Sequence, residues 1–89
     1  MEKKKFSMFF RYGVRILLNI HDKNPTYTTL ISKDLDITYS HTFKILEELK
    51  KFGLVDIVKK GRINFVTLTD NGLELARHLT GAMQVLSKG

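Results

Sequence analysis

Three cations crowd one glycine in Lys59-Lys60-Gly61-Arg62, between two apolar runs. Cations on a short turn can grip phosphates or enter a minor groove. The same arrangement also serves as a solubilising guard on an edge strand. A second set, Tyr39, Ser40, His41, Phe43 and Lys44, lies within six consecutive residues. Ser and Lys can hydrogen-bond bases or phosphates, whereas Phe43 can either touch a thymine methyl or pack into a small core. No arginine stands in this stretch. Should the stretch meet duplex DNA, the commonest guanine contact would be left to Lys44, and part of any sequence preference would come from DNA shape. Lys3-Lys4-Lys5 is expected to be a frayed, solvated terminus rather than a phosphate-seeking arm.

Other chemistries find little support. The chain has no cysteine, and His21, His41 and His78 are far apart with no His-x-x-x-His pair. No metal site and no cofactor are expected. Neither a P-loop, a Gly-x-Gly-x-x-Gly or Gly-x-Ser-x-Gly motif nor a clustered carboxylate pair occurs, so the chain is not expected to be an enzyme. The basic start imitates a signal peptide, but Arg11 and Arg15 interrupt the apolar run behind it. No stretch is apolar enough to span a membrane. The 89 residues carry 15 Lys and Arg against nine Asp and Glu, a formal charge of +6. That excess favours an anionic partner, nucleic acid first. A domain this small hides only roughly 60% of its unfolded surface, so a second subunit would help it. The reading is one soluble, cytoplasmic domain over 1–89.

Positioning these residues requires particular elements. A first helix is expected over about 7–21, its apolar residues spread so widely that only Arg11, Arg15 and Asn19 mark a polar strip. A single core needs an apolar stripe of about 100°. Such a helix is either wrapped centrally by the others or shared with a second subunit, and the second reading is favoured. Asp22-Lys23-Asn24-Pro25 is a turn and Thr26-Tyr27 a short strand. Thr28 is expected to cap a helix running to Leu35, with Leu30, Ile31 and Leu35 inward. After Asp36-Ile37, Thr38 caps a helix over 39–52, which Gly53 ends. Its buried arc is Thr42, Ile45, Leu46, Leu49 and Phe52, and Glu47–Lys51 is expected as an i,i+4 pair. Leu54–Val58 and Ile63–Leu68 form a hairpin turning at Gly61. Thr69 caps a last helix over about 70–86, whose Leu75, Leu79, Ala82 and Leu86 form a seam flanked by Ala76 and Met83.

The resulting order, α-β-α-α-β-β-α, is mainly α with a small β-hairpin. Three pieces of it resemble the winged helix-turn-helix transcription regulators of the MarR, ArsR and PadR type. The first, Ile31-Ser32-Lys33-Asp34-Leu35-Asp36-Ile37-Thr38, stands where those families often show an apolar residue, Ala, and a Leu-Gly-Ile-Ser turn. Leu46-Glu47-Glu48-Leu49-Lys50-Lys51-Phe52-Gly53-Leu54-Val55 is similar to their Leu-x-x-Leu-x-x-x-Gly-Leu-Val. Leu68-Thr69-Asp70-Asn71-Gly72 is similar to Leu-Thr-x-x-Gly after the wing. The resemblance covers Tyr27 to about Gly72. Asp36 replaces the turn glycine, tolerable because Asp enters the left-handed region at small cost. Ser32 replaces a small apolar residue, so its hydroxyl needs a backbone partner.

The resemblance implies a sequence-preferring regulator of transcription that binds double-stranded DNA as a homodimer. Helix 39–52 would enter the major groove through Tyr39, Ser40, His41, Phe43 and Lys44, and Lys59, Lys60 and Arg62 would hold the backbone or minor groove. Phe9, Ile16, Ile20, Leu75, Leu79, Ala82, Met83 and Leu86 on the terminal helices would form the dimer interface, Gly81-Ala82 allowing close approach. The interface between those helices has room for a small apolar effector, whose identity the sequence leaves unknown. The alternatives are a winged-helix adaptor that binds protein and a non-specific, chromatin-like DNA binder.

Overall fold

The computed structural model describes residues 9–88, with side chains from residue 11 onward. Lys3-Lys4-Lys5, the expected helix start at Ser7 and the side chain of Phe9 lie outside the described residues. A π-helical turn, Phe9–Gly13, leads into α1 (Val14–Lys23). The helix ends two residues beyond the expected His21, at Lys23, and the following Asn24 is extended at φ −60° and ψ 124°. Pro25 imposes this, because its ring excludes helical geometry from the residue before it. Ile16, Leu17 and Ile20 of α1 have no exposed surface, and α1 packs on α2 (Thr28–Leu35), on α4 (Asp70–Lys88) and on the sheet. The helix is therefore the central one of its own core. Ile16 and Ile20, expected at a dimer interface, are corrected to core residues with nothing left to offer a partner. Of the wide apolar spread expected for the first helix, the elements around it bury Ile16, Leu17 and Ile20, while Val14 and Leu18 are half-buried.

Two expectations about α2 divide. Thr28 is not its cap: the chain enters the helix directly from β1 (Thr26–Tyr27), leaving extended Tyr27 at the cap position and Thr28 as a buried first residue. Its hydroxyl points across to the Asn64 carbonyl instead, at 3.5 Å. Asp36 does adopt the left-handed conformation, at φ 54°. Its N–H reaches Lys33 O and that of Ile37 reaches Ser32 O, satisfying two carbonyls at the helix end. The Ser32 hydroxyl finds the backbone partner it needs in Thr29 O, at 2.8 Å.

Thr38 caps α3 (Tyr39–Lys51) as expected, its hydroxyl accepting from His41 N at 3.2 Å. Thr42, Ile45, Leu46 and Leu49 form the buried arc. Phe52 is corrected: it stands past the last helical residue and is 42% exposed, because the helical projection stops holding where the helix stops. Gly53, at φ 75°, closes the end as the residue without the Cβ that disfavours this conformation.

β2 (Val55–Lys60) and β3 (Ile63–Leu68) make the wing, and β1 joins β3 on its other side, giving the antiparallel order β1-β3-β2. The strands pair from Val55↔Leu68 to Lys60↔Ile63, so only Gly61 and Arg62 remain in the turn. Lys59 and Lys60 therefore belong to β2, not to the turn. Thr69 caps α4 through Gly72 N at 3.0 Å, and its own N–H reaches Leu54 O at 3.1 Å. The helix runs two residues past the expected Leu86. This is the winged-helix architecture: α2 and α3 form the helix-turn-helix, and the sheet lies beside it.

Candidate nucleic-acid interface

The first turn of α3 carries the expected contact residues in two conditions. Ser40 and Lys44 are exposed and Tyr39 is 45% exposed, whereas His41 and Phe43 are half-buried. The His41 ring meets Tyr12 edge-on, with centroids 4.6 Å apart and planes at 69°. That contact ties α3 to the π-helical turn before α1, and the histidine is half-buried. Phe43 lies parallel to Tyr39, with centroids 6.2 Å apart and planes at 6°. The stack gives Phe43 a packing role inside the chain and fixes the tyrosine ring.

Alternation along the strands decides where the wing cations point. Val55, Ile57 and Lys59 share a face with Asn64, Val66 and Leu68, the face that covers the core. Asp56, Val58 and Lys60 share the outer face with Ile63, Phe65 and Thr67. Lys59 and Lys60 thus leave the hairpin on opposite faces, and Arg62 occupies the tip. All three are exposed. Among the described residues, no carboxylate pairs with Lys44, Lys59, Lys60 or Arg62. Elsewhere Lys51 pairs with Glu48, three residues away at 3.6 Å, instead of with Glu47. Glu47 is left exposed, because the adjacent turn of the helix brings Glu48 to the lysine first.

Besides core packing, a side-chain hydrogen bond joins the helix to the wing. Asn64 donates from Nδ2 to the Tyr39 hydroxyl at 2.9 Å, and Asn64 is the register partner of Lys59. The sequence reading missed Asn64. Its only sequence signal is a polar residue at an inward-facing strand position, and its partner is 25 residues away.

The terminal seam divides along α4. Leu75 and Leu79 pack against the chain's own core, whereas Ala82, Met83 and Leu86 are exposed, Leu86 to 73%. A Cβ added to Gly81 would meet nothing within 4 Å. No described helix is long and apolar enough to cross a membrane, and among the described residues no three of His, Asp and Glu gather as a metal site would require.

No protein-family model matches the chain, and no curated protein sequence does. Its backbone is nevertheless similar to solved structures. AF1382 from Archaeoglobus fulgidus superposes with a TM-score of 0.83 at 19% identity, over 94% of this chain and 97% of that one. The overoxidized form of AbfR bound to DNA matches at a TM-score of 0.77 and 25% identity, over 94% of this chain and 65% of AbfR. The MarR family transcriptional regulator SPO1453 from Silicibacter pomeroyi matches at a TM-score of 0.75 and 27% identity, over 84% of this chain. The chain spans only 54% of SPO1453. Described backbone and three sequence motifs agree, and the chain resembles the winged-helix regulators of the MarR type.

Proposed function

We propose that the chain is a transcription regulator that binds double-stranded DNA with sequence preference, as a homodimer. The observation that carries this reading is the Asn64–Tyr39 hydrogen bond, which fastens the wing to the first residue of α3. Helix and wing are thereby brought side by side, an arrangement suited to entering a groove while holding its flank. Ser40 and Lys44 supply polar contacts at base edges or phosphates. Lys59, Lys60 and Arg62, without acidic partners among the described residues, supply the phosphate grip. The DNA-bound AbfR structure supports the same use of the fold.

Dimerisation is assigned to the far end of α4, where Ala82, Met83, Val85 and Leu86 are exposed together. A two-fold dimer requires a pseudo-palindromic site with half-sites about one DNA turn apart. The adaptor reading draws on one observation, the apolar outer face of the wing sheet, where Val58 and Ile63 are 50% and 44% exposed. Selection from a random duplex library, with sedimentation of the free chain, separates the readings. An enriched inverted repeat and a dimer are expected. Duplex binding without an enriched motif would favour the non-specific binder, and no duplex recovery at all would favour the adaptor.

A further inference from the structure

We propose that Asn64 is a positioning residue that presets the Tyr39 hydroxyl as a hydrogen-bond donor to one phosphodiester oxygen in each half-site. The inference rests on the proposed DNA-binding function. A phenol has one proton to give and lone pairs to accept with. The Asn64 amide donates to the Tyr39 oxygen, so the phenol's own proton is directed elsewhere. The near-parallel stack of Tyr39 on Phe43 helps place the phenol oxygen, while the O–H turns about its own C–O bond and is steered away from the donating amide of Asn64. Asn64 is itself held in β3, opposite Lys59. The register position opposite Asn64 holds an exposed cation, Lys59, and hydrogen bonds to ionised groups are the stronger ones, so these surroundings suit an anionic acceptor better than a neutral base edge. The arrangement therefore selects a phosphate, and Tyr39 contributes register along the duplex rather than base identity.

The test compares wild type with Tyr39→Phe, Asn64→Ala and the double variant. The probes are a random-sequence duplex pool and one duplex taken from its bound fraction. Tyr39→Phe removes only the hydroxyl and keeps the stack, so it guards against a folding defect in Asn64→Ala. Each single variant should weaken binding by about tenfold, the scale of one hydrogen bond to a charged group. The double variant should bind no worse than Tyr39→Phe, because both changes remove one contact. Phosphate ethylation should show the same single phosphate per half-site losing its interference in both variants. Losses that multiply, or an Asn64→Ala chain with wild-type affinity and footprint, would overturn the inference alone. A wild-type chain that retains no duplex would overturn the proposed function along with it.

Discussion

A single methyl group at position 72 would stand 1.9 Å from the Leu54 carbonyl oxygen. That oxygen already accepts from Thr69 N, so neither partner can withdraw without breaking the cap of α4. Gly72→Ala should destabilise the chain by about 2 kcal/mol, as overpacking at a rigid contact does. Urea unfolding measures it, and unchanged stability would refute the close approach. The third motif thus has a physical content that its letters did not carry: glycine is needed for helix-to-turn contact. Residue choices that answer to the local backbone were legible in the sequence. Thr38, Asp36, Gly53 and Thr69 are all of this kind, each satisfying groups within a few residues of itself. Thr28 and Phe52 were not, because each turned on where a helix begins or ends, and Asn64 was not, because its partner lies 25 residues away.

At the scale of elements, the helices and the hairpin follow from periodicity, and the departures follow from junctions. The α1–α2 contact is an example. Lys23 pairs with Asp34, and Asn19 donates to the same carboxylate at 3.3 Å. The hydrogen bond from Lys23, and then that from Asn19, holds the Asp34 carboxyl below its ordinary value. A carboxylate lowered by folding contributes stability above its unfolded pKa, about 3.9, and loses it as pH falls through the folded value. Asp34→Asn should therefore lower the thermal midpoint slightly near neutrality, and the gap from wild type should close in acid. A gap that persists or widens at low pH would show that the pair is not the source. The site is exposed and salt should shrink the effect. The wing offers the complementary lesson. Its existence was legible from Gly61 and the β-branched runs, but the faces of Lys59 and Lys60 depended on the register, and one residue of slip would exchange them.

For the whole molecule, the first helix is the largest revision. Ile16 and Ile20 looked like surface awaiting a second chain, yet they fill the centre of this one. Among the described residues of the expected interface, their burial leaves Ala82, Met83 and Leu86 at the end of α4 exposed. Charge has become more specific as well. The excess of +6 is distributed widely, but among the described residues Lys44 and the three wing cations make no ion pair, which leaves them available to an external anion. The proposed DNA binding depends on that availability. Its most direct test is fluorescence anisotropy of a random-sequence duplex pool titrated with the chain at increasing salt. A dimer making about six to ten phosphate contacts should lose about 10³- to 10⁵-fold in affinity between about 50 and 200 mM salt. Changing Lys59, Lys60 and Arg62 together to Ala should flatten that dependence. Absence of binding at low salt, or a slope that the triple variant leaves unchanged, would contradict it.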